Sequence, residues 1–146
     1  MRHMAVSTET LRRSFVDTNI WLYAFIQSQS TQKHDTARQI LGKQEIIIST
    51  QVIGEVCVNL LKKMAFTEDN ITGLIRSFYS RYPVAEIEQE TFLTASELRG
   101  RYSFSYWDSL IAASALQTGS DILYTEDMQH GLVIDSSLTI VNPFLE

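Results

Sequence analysis

The chain has 146 residues, 45% of them hydrophobic and 20% charged, which reads as one domain able to bury roughly 68–70% of its unfolded surface without covalent staples. Seventeen acidic residues against twelve basic ones leave a net charge of −5. That excludes a general nucleic-acid coating protein, which needs a basic footprint, but not an enzyme that acts on nucleic acid.

Residues 14–20, Ser-Phe-Val-Asp-Thr-Asn-Ile, predict a short buried strand that ends on Asp17 and turns straight into a helix. Phe15 and Val16 favour a strand. Trp21, Leu22, Phe25 and Ile26 carry helical apolar spacing. His34 to Lys43 predicts a second helix with Gly42 as its C-cap. Glu45 to Ser49 is a β-branched apolar run, the mark of a strand covered on both faces. Thr50 to Met64 predicts a helix with Val52, Ile53, Val56, Leu60 and Leu61 inward and Lys62 and Lys63 at its negative end. Glu68 to Tyr79 predicts another helix, Tyr82 to Ile87 a strand, and Glu90 to Gly100 a helix. Ser105 to Asp108 matches a capping box opening a helix that stops at Gly119. Asp121 to Thr125 and Leu138 to Val141 read as the last two strands. Strands separated by helical crossovers imply an α/β fold, a parallel sheet with helices on both faces.

Four acids stand at comparable places in this rhythm. Asp17 and Asp127 follow strands; Glu55 and Asp108 lie near helix starts. In a parallel sheet those places share one edge, where ligands bind. Crowded carboxylates repel and favour protonation unless a cation neutralises them. Hard oxygen donors without nearby histidine or cysteine suit Mg²⁺ or Mn²⁺, and such ions assist water attack on a phosphodiester. Each acid also has a plain structural reading. Asp17 is a possible helix cap, Asp108 a capping-box acid, Glu55 a helix-start acid and Asp127 a turn residue.

Four segments resemble the PIN domain family: Phe15-Val16-Asp17-Thr18-Asn19-Ile20, Gln51 to Glu55, Ser105 to Ala113, and Ile122 to Gly131. The closing Ile140 to Phe144 is similar too, so the resemblance covers almost the whole chain from Ser14 onward. The size is similar to VapC-type toxins of toxin–antitoxin pairs. The resemblance implies a three-layer α/β/α sandwich with a five-stranded parallel sheet. It implies a Mg²⁺- or Mn²⁺-dependent ribonuclease whose catalytic and metal-binding quartet is Asp17, Glu55, Asp108 and Asp127. Asn19 matches the motif asparagine, expected to steady the first acid. Thr125 matches the hydroxyl position before the last acid, expected to place a water at the ion. Glu126 is the alternative to Asp127. The implied products carry 5′-phosphate and 3′-hydroxyl ends. An antitoxin partner is expected, held through an amphipathic segment against the 34–43 and 68–79 helices, along with homodimerisation.

Arg99 and Arg101 precede the Asp108 helix and are candidate phosphate contacts; a solvated basic loop is the plainer account. His34 and His130 read as surface residues. The sole cysteine, Cys57, forms no internal disulfide and lacks a histidine partner for nucleophilic work. It fits a reducing, cytoplasmic setting. No apolar run is long enough to span a membrane, and no signal peptide is expected. Residues 1–13 are expected to form a flexible segment before a single domain over 14–146. Two other functions remain open: a stand-alone nuclease of RNA processing, and a catalytically silent binding module. A receiver-like phosphoacceptor is disfavoured, because no lysine follows Lys63.

Overall fold

The computed structural model describes residues 12–26 and 30–145. In chain order the elements are β1 (Arg13–Val16), α1 (Thr18–Phe25), α2 (Thr31–Lys43), β2 (Glu45–Ser49), α3 (Thr50–Lys63) and α4 (Glu68–Arg81). There follow β3 (Val84–Ala85), α5 (Gln89–Arg101), α6 (Tyr106–Gln117), β4 (Ile122–Tyr124), β5 (Val133–Ile134) and β6 (Leu138–Val141). The sheet runs β3-β2-β1-β4-β6-β5. Its first five strands are parallel, with Phe15 opposite Ile47 on one side and Leu123 on the other. The expected five-stranded parallel sheet is therefore present, flanked by helices as the α/β reading requires.

A sixth strand was not foreseen. β5 is two residues long and pairs antiparallel with β6. The turn between them puts Asp135 and Ser136 at φ +52° and +57°, the left-handed pair that suits the twist of a tight hairpin. Two residues carry no readable alternation, which is why the sequence does not announce them.

Phe15 and Val16 point to opposite faces of β1, and both are fully buried. Only a strand covered by helices on both sides does this. Trp21 packs edge-on against Phe78 and Tyr82, and its Nε1 donates to Val16 O at 3.0 Å. The indole thus ties α1 back to the strand it follows, burying its polar atom with a partner.

Several boundaries move. α2 begins at Thr31, where the Ser30 hydroxyl accepts from Lys33 N–H. It continues through Gly42 and stops at Gln44, which is in extended backbone. Gly42 is therefore a helical residue and not the C-cap. Arg13, expected in the flexible segment, belongs to β1 and donates to Thr118 O at 2.9 Å. Residues 1–11 lie outside the described residues, so the expectation of a flexible start falls there. None of the described helices is long and apolar enough to cross a membrane.

Candidate active site

Two junctions with no intervening loop create the site. Asp17 ends β1 and caps α1, its Oδ1 accepting from Thr18 N–H at 2.7 Å. Ser49 ends β2 and caps α3, its hydroxyl accepting from Val52 N–H. Glu55 then projects from the second turn of α3. Ser105 caps α6 by accepting from Asp108 N–H at 3.1 Å, which sets Asp108 in the first helical turn. β4 leads through Thr125 to Asp127. Asp17, Glu55, Asp108 and Asp127 all line one cavity of about 240 Å³, together with Asn19, Gln51, Asn59 and Trp107. Capping and facing the pocket are not alternatives for Asp17; it does both.

The carboxylates are held by distinct donors. Thr125 Oγ1 donates to Asp17 Oδ2 at 2.8 Å and accepts from Asp127 N–H at 3.2 Å. Thr18 Oγ1 donates to Glu55 Oε1 at 2.5 Å, and Gln51 Nε2 donates to Glu55 Oε2 at 3.1 Å. Asn19 Nδ2 donates to Asp127 Oδ2 at 3.2 Å. The hydrogen bond to the first acid, expected from Asn19, comes from Thr125 instead. Asn19 steadies the last acid, not the first. Thr125 is fully buried and its hydroxyl holds the first acid. Thr18 and Gln51 were not singled out from the sequence. Gln51 stands four residues before Glu55, the one local signal that could have found it.

Asp17 is only 6% exposed. Burial, reinforced by Glu55 and Asp127, lifts its carboxyl from 3.8 to about 6, against the lowering pull of Thr18 and Thr125. Burial also raises Asp108 and Asp127, each with further contributions from neighbouring acids. Crowding of like charge is thus a property of the folded site, as the residue pattern implied.

Glu126 points elsewhere. Its Oε2 lies 2.6 Å from Lys33 Nζ, and its Oε1 accepts from Tyr23 OH at 2.9 Å. The Lys33 ammonium also sits 4.9 Å and 5.2 Å from the Tyr23 and Phe144 ring centres. Glu126 anchors its loop to α1 and α2, which leaves Asp127 as the pocket acid. Arg99 and Arg101 do not line the pocket. Arg99 donates to Ser109 Oγ at 2.7 Å and lies over the Tyr106 ring. Arg101 pairs with Asp135 at 2.9 Å and with Glu97. Each guanidinium is thus held by a partner of the protein itself. His34 bonds through Nδ1 to Tyr23 O, and His130 Nδ1 accepts from Asn142 N–H.

The sequence profile of the PIN domain matches residues 14–131. This chain belongs to the PIN domain family. No curated protein matches it in sequence, whereas solved structures do in fold. VapC20 of Mycobacterium tuberculosis, a sarcin–ricin loop cleaving toxin, is 20% identical with a TM-score of 0.65, over 78% of this chain and 89% of that one. A toxin–antitoxin complex from Klebsiella pneumoniae gives 22%, 0.68, and 90% and 98%. VapBC2 from Rickettsia felis, bound to a DNA fragment from its promoter, gives 20%, 0.62, and 88% and 96%. This PIN domain shares its fold with those toxins.

The donor set fits a hard divalent ion. All four pocket acids offer oxygen, and no histidine or cysteine lines the cavity. Among the described residues, no three such side chains already form a ligand cage. Mg²⁺ does not need one, since it binds through one or two carboxylates and keeps several waters.

Proposed function

We propose that this PIN domain is a Mg²⁺- or Mn²⁺-dependent endoribonuclease and the toxin of a VapBC-type pair. The observation that carries the reading is the convergence of Asp17, Glu55, Asp108 and Asp127 on one cavity. Asp17, with Asp108, Asp127 and Glu55 around it, would hold one or two ions. A bound ion of this kind makes water more acidic and offsets charge on the attacked phosphate and on the departing oxygen.

The chain's own part is orientation and proton transfer. Thr125 and Thr18 N–H fix both oxygens of Asp17. Thr18 and Gln51 fix Glu55. A pocket carboxylate beside the bound ion would take a proton from the attacking water. The water oxygen bonds to phosphorus as the bond from phosphorus to the 3′-oxygen breaks. The water's proton passes to the carboxylate, and the 3′-oxygen is protonated from solvent. Products then carry 5′-phosphate and 3′-hydroxyl ends.

The antitoxin partner is supported by a concavity between α1, α2 and α4. Phe25, Leu41, Leu74 and Phe78 give it apolar walls, and Arg38 and Arg81 rim it. An amphipathic helix with an apolar stripe and acidic flanks fits such a groove. Homodimerisation belongs to the same reading and is measured by light scattering.

End-group analysis on a mixed pool of tRNA and rRNA tests the chemistry. Cleavage with Mg²⁺ or Mn²⁺, none with EDTA, and ends that ligate as 5′-phosphates are expected. Ends in 2′,3′-cyclic phosphate would overturn this mechanism, because they require attack by the RNA's own 2′-hydroxyl.

A further inference from the structure

Beside the acids runs a second, more open groove. Thr50, Gly54 and Val58 line it from α3, and the Trp107 indole lines it from the first turn of α6. Gln51, Glu55, Asn59 and Trp107 line both this groove and the acid cavity, so the two are continuous. Trp107 is 60% exposed and Val58 48%. Neither contributes to the core, although each is large and apolar.

The indole is nonetheless braced. Tyr106 meets it edge-on, with ring centres 5.1 Å apart and planes at 81°. The Arg99 guanidinium lies 4.6 Å over the Tyr106 ring and is itself tied to Ser109 Oγ at 2.7 Å. Gln51 Nε2 reaches Trp107 O at 3.4 Å. Its Oε1 is shielded from solvent and has no partner among the described residues. A chain of contacts therefore orients one exposed aromatic at the mouth of the acid cavity.

We propose that Trp107 is a stacking platform for the nucleobase next to the scissile phosphate of single-stranded RNA, with Gly54 and Val58 as the groove floor. This rests on the ribonuclease reading and adds a base subsite to it. The occupant is argued from position and charge. A phosphate at the acids carries a nucleoside on each side within one backbone step, and the groove begins where the acids end. Its lining holds no cation, so it suits an uncharged aromatic base and not a phosphate. Stacking on an exposed aromatic is the sequence-tolerant way to hold such a base. Gly54 leaves the floor open, since a Cβ there meets nothing within 4 Å.

Two variants and one optical measurement test this. Trp107→Ala removes the platform, and Gly54→Leu fills the groove from an exposed helix position where a Cβ has open space. Each is expected to raise KM for the RNA pool about 10-fold with kcat within about 2-fold, the size of one lost stack. Trp107→Phe keeps a face and is expected to keep most of the affinity. Mn²⁺ binding stays unchanged in all three. Trp21 is buried, so acrylamide quenching of tryptophan fluorescence reports Trp107. Adding tRNA to Asp17→Asn protein is expected to shield it. Wild-type KM in Trp107→Ala and Gly54→Leu overturns the platform while leaving the nuclease standing. A Trp107 that stays open to acrylamide with RNA bound does the same. Shielding by RNA without any cleavage by the wild type keeps the platform and removes the nuclease. Shielding that rises with protein concentration in the absence of RNA makes the groove a protein interface and overturns the proposal.

Discussion

Thr125 Oγ1 donates to Asp17 Oδ2 at 2.8 Å across 108 residues of sequence, joining the ends of neighbouring strands β4 and β1. The same hydroxyl accepts from Asp127 N–H. One small side chain therefore sets two of the pocket acids. Thr125→Val keeps the volume and removes both bonds. The uncompensated buried acceptor costs about 1–3 kcal/mol. A fall of that size in urea unfolding is expected, with kcat down about 10-fold.

The Asp17 carboxyl gives the metal-free protein a pH signature. Its folded value is raised from 3.8 to about 6, so in that window the folded state binds more protons than the unfolded one. The Asp17 contribution to stability is therefore fully present below about pH 4 and is lost as the pH rises through about 6, by about 3 kcal/mol. Urea melts in EDTA across this range check it. Mg²⁺ is expected to restore stability at neutral pH by neutralising the charge. Asp17→Asn should flatten the EDTA profile and stabilise the metal-free protein at pH 7.5. A wild-type profile that rises with pH contradicts this account of Asp17.

The adjacent acids Glu126 and Asp127 should separate in function. Glu126 is bonded to Lys33 and Tyr23, whereas Asp127 lines the pocket. Asp127→Asn is expected to lower kcat at least about 100-fold. Glu126→Gln keeps the Tyr23 bond and should stay within about 5-fold of wild type. The Lys33 pair is partly exposed, so its loss should cost no more than about 1 kcal/mol of stability. Equal losses in the two variants would assign both acids to the site.

Element type, β5 apart, and the position of each of the four acids near a strand end or helix start were legible in the sequence, because both follow from local rules. Phe15-Val16-Asp17 shows a buried strand ending on an acid, and Ser105 before Asp108 shows a helix start. The donors to those acids were not legible. Thr125 meets Asp17, and Asn19 meets Asp127, across strands whose order no local pattern states. Arg99 and Arg101 look like free cations in the sequence. In the fold they are taken by Ser109, Tyr106, Asp135 and Glu97. Gly42 reads as a helix stop because glycine tolerates the left-handed cap conformation. Here Gln44 ends α2 in extended backbone instead.

The most direct measurement is cleavage of a mixed RNA pool by wild type and Asp17→Asn, with Mg²⁺ or Mn²⁺ and with EDTA. Asparagine keeps the shape of the most buried pocket acid and removes its charge. Cutting by the wild type alone, and only with metal, is the predicted result. Equal cutting by both proteins, or cutting that survives EDTA, would contradict the assignment of the quartet as the active site.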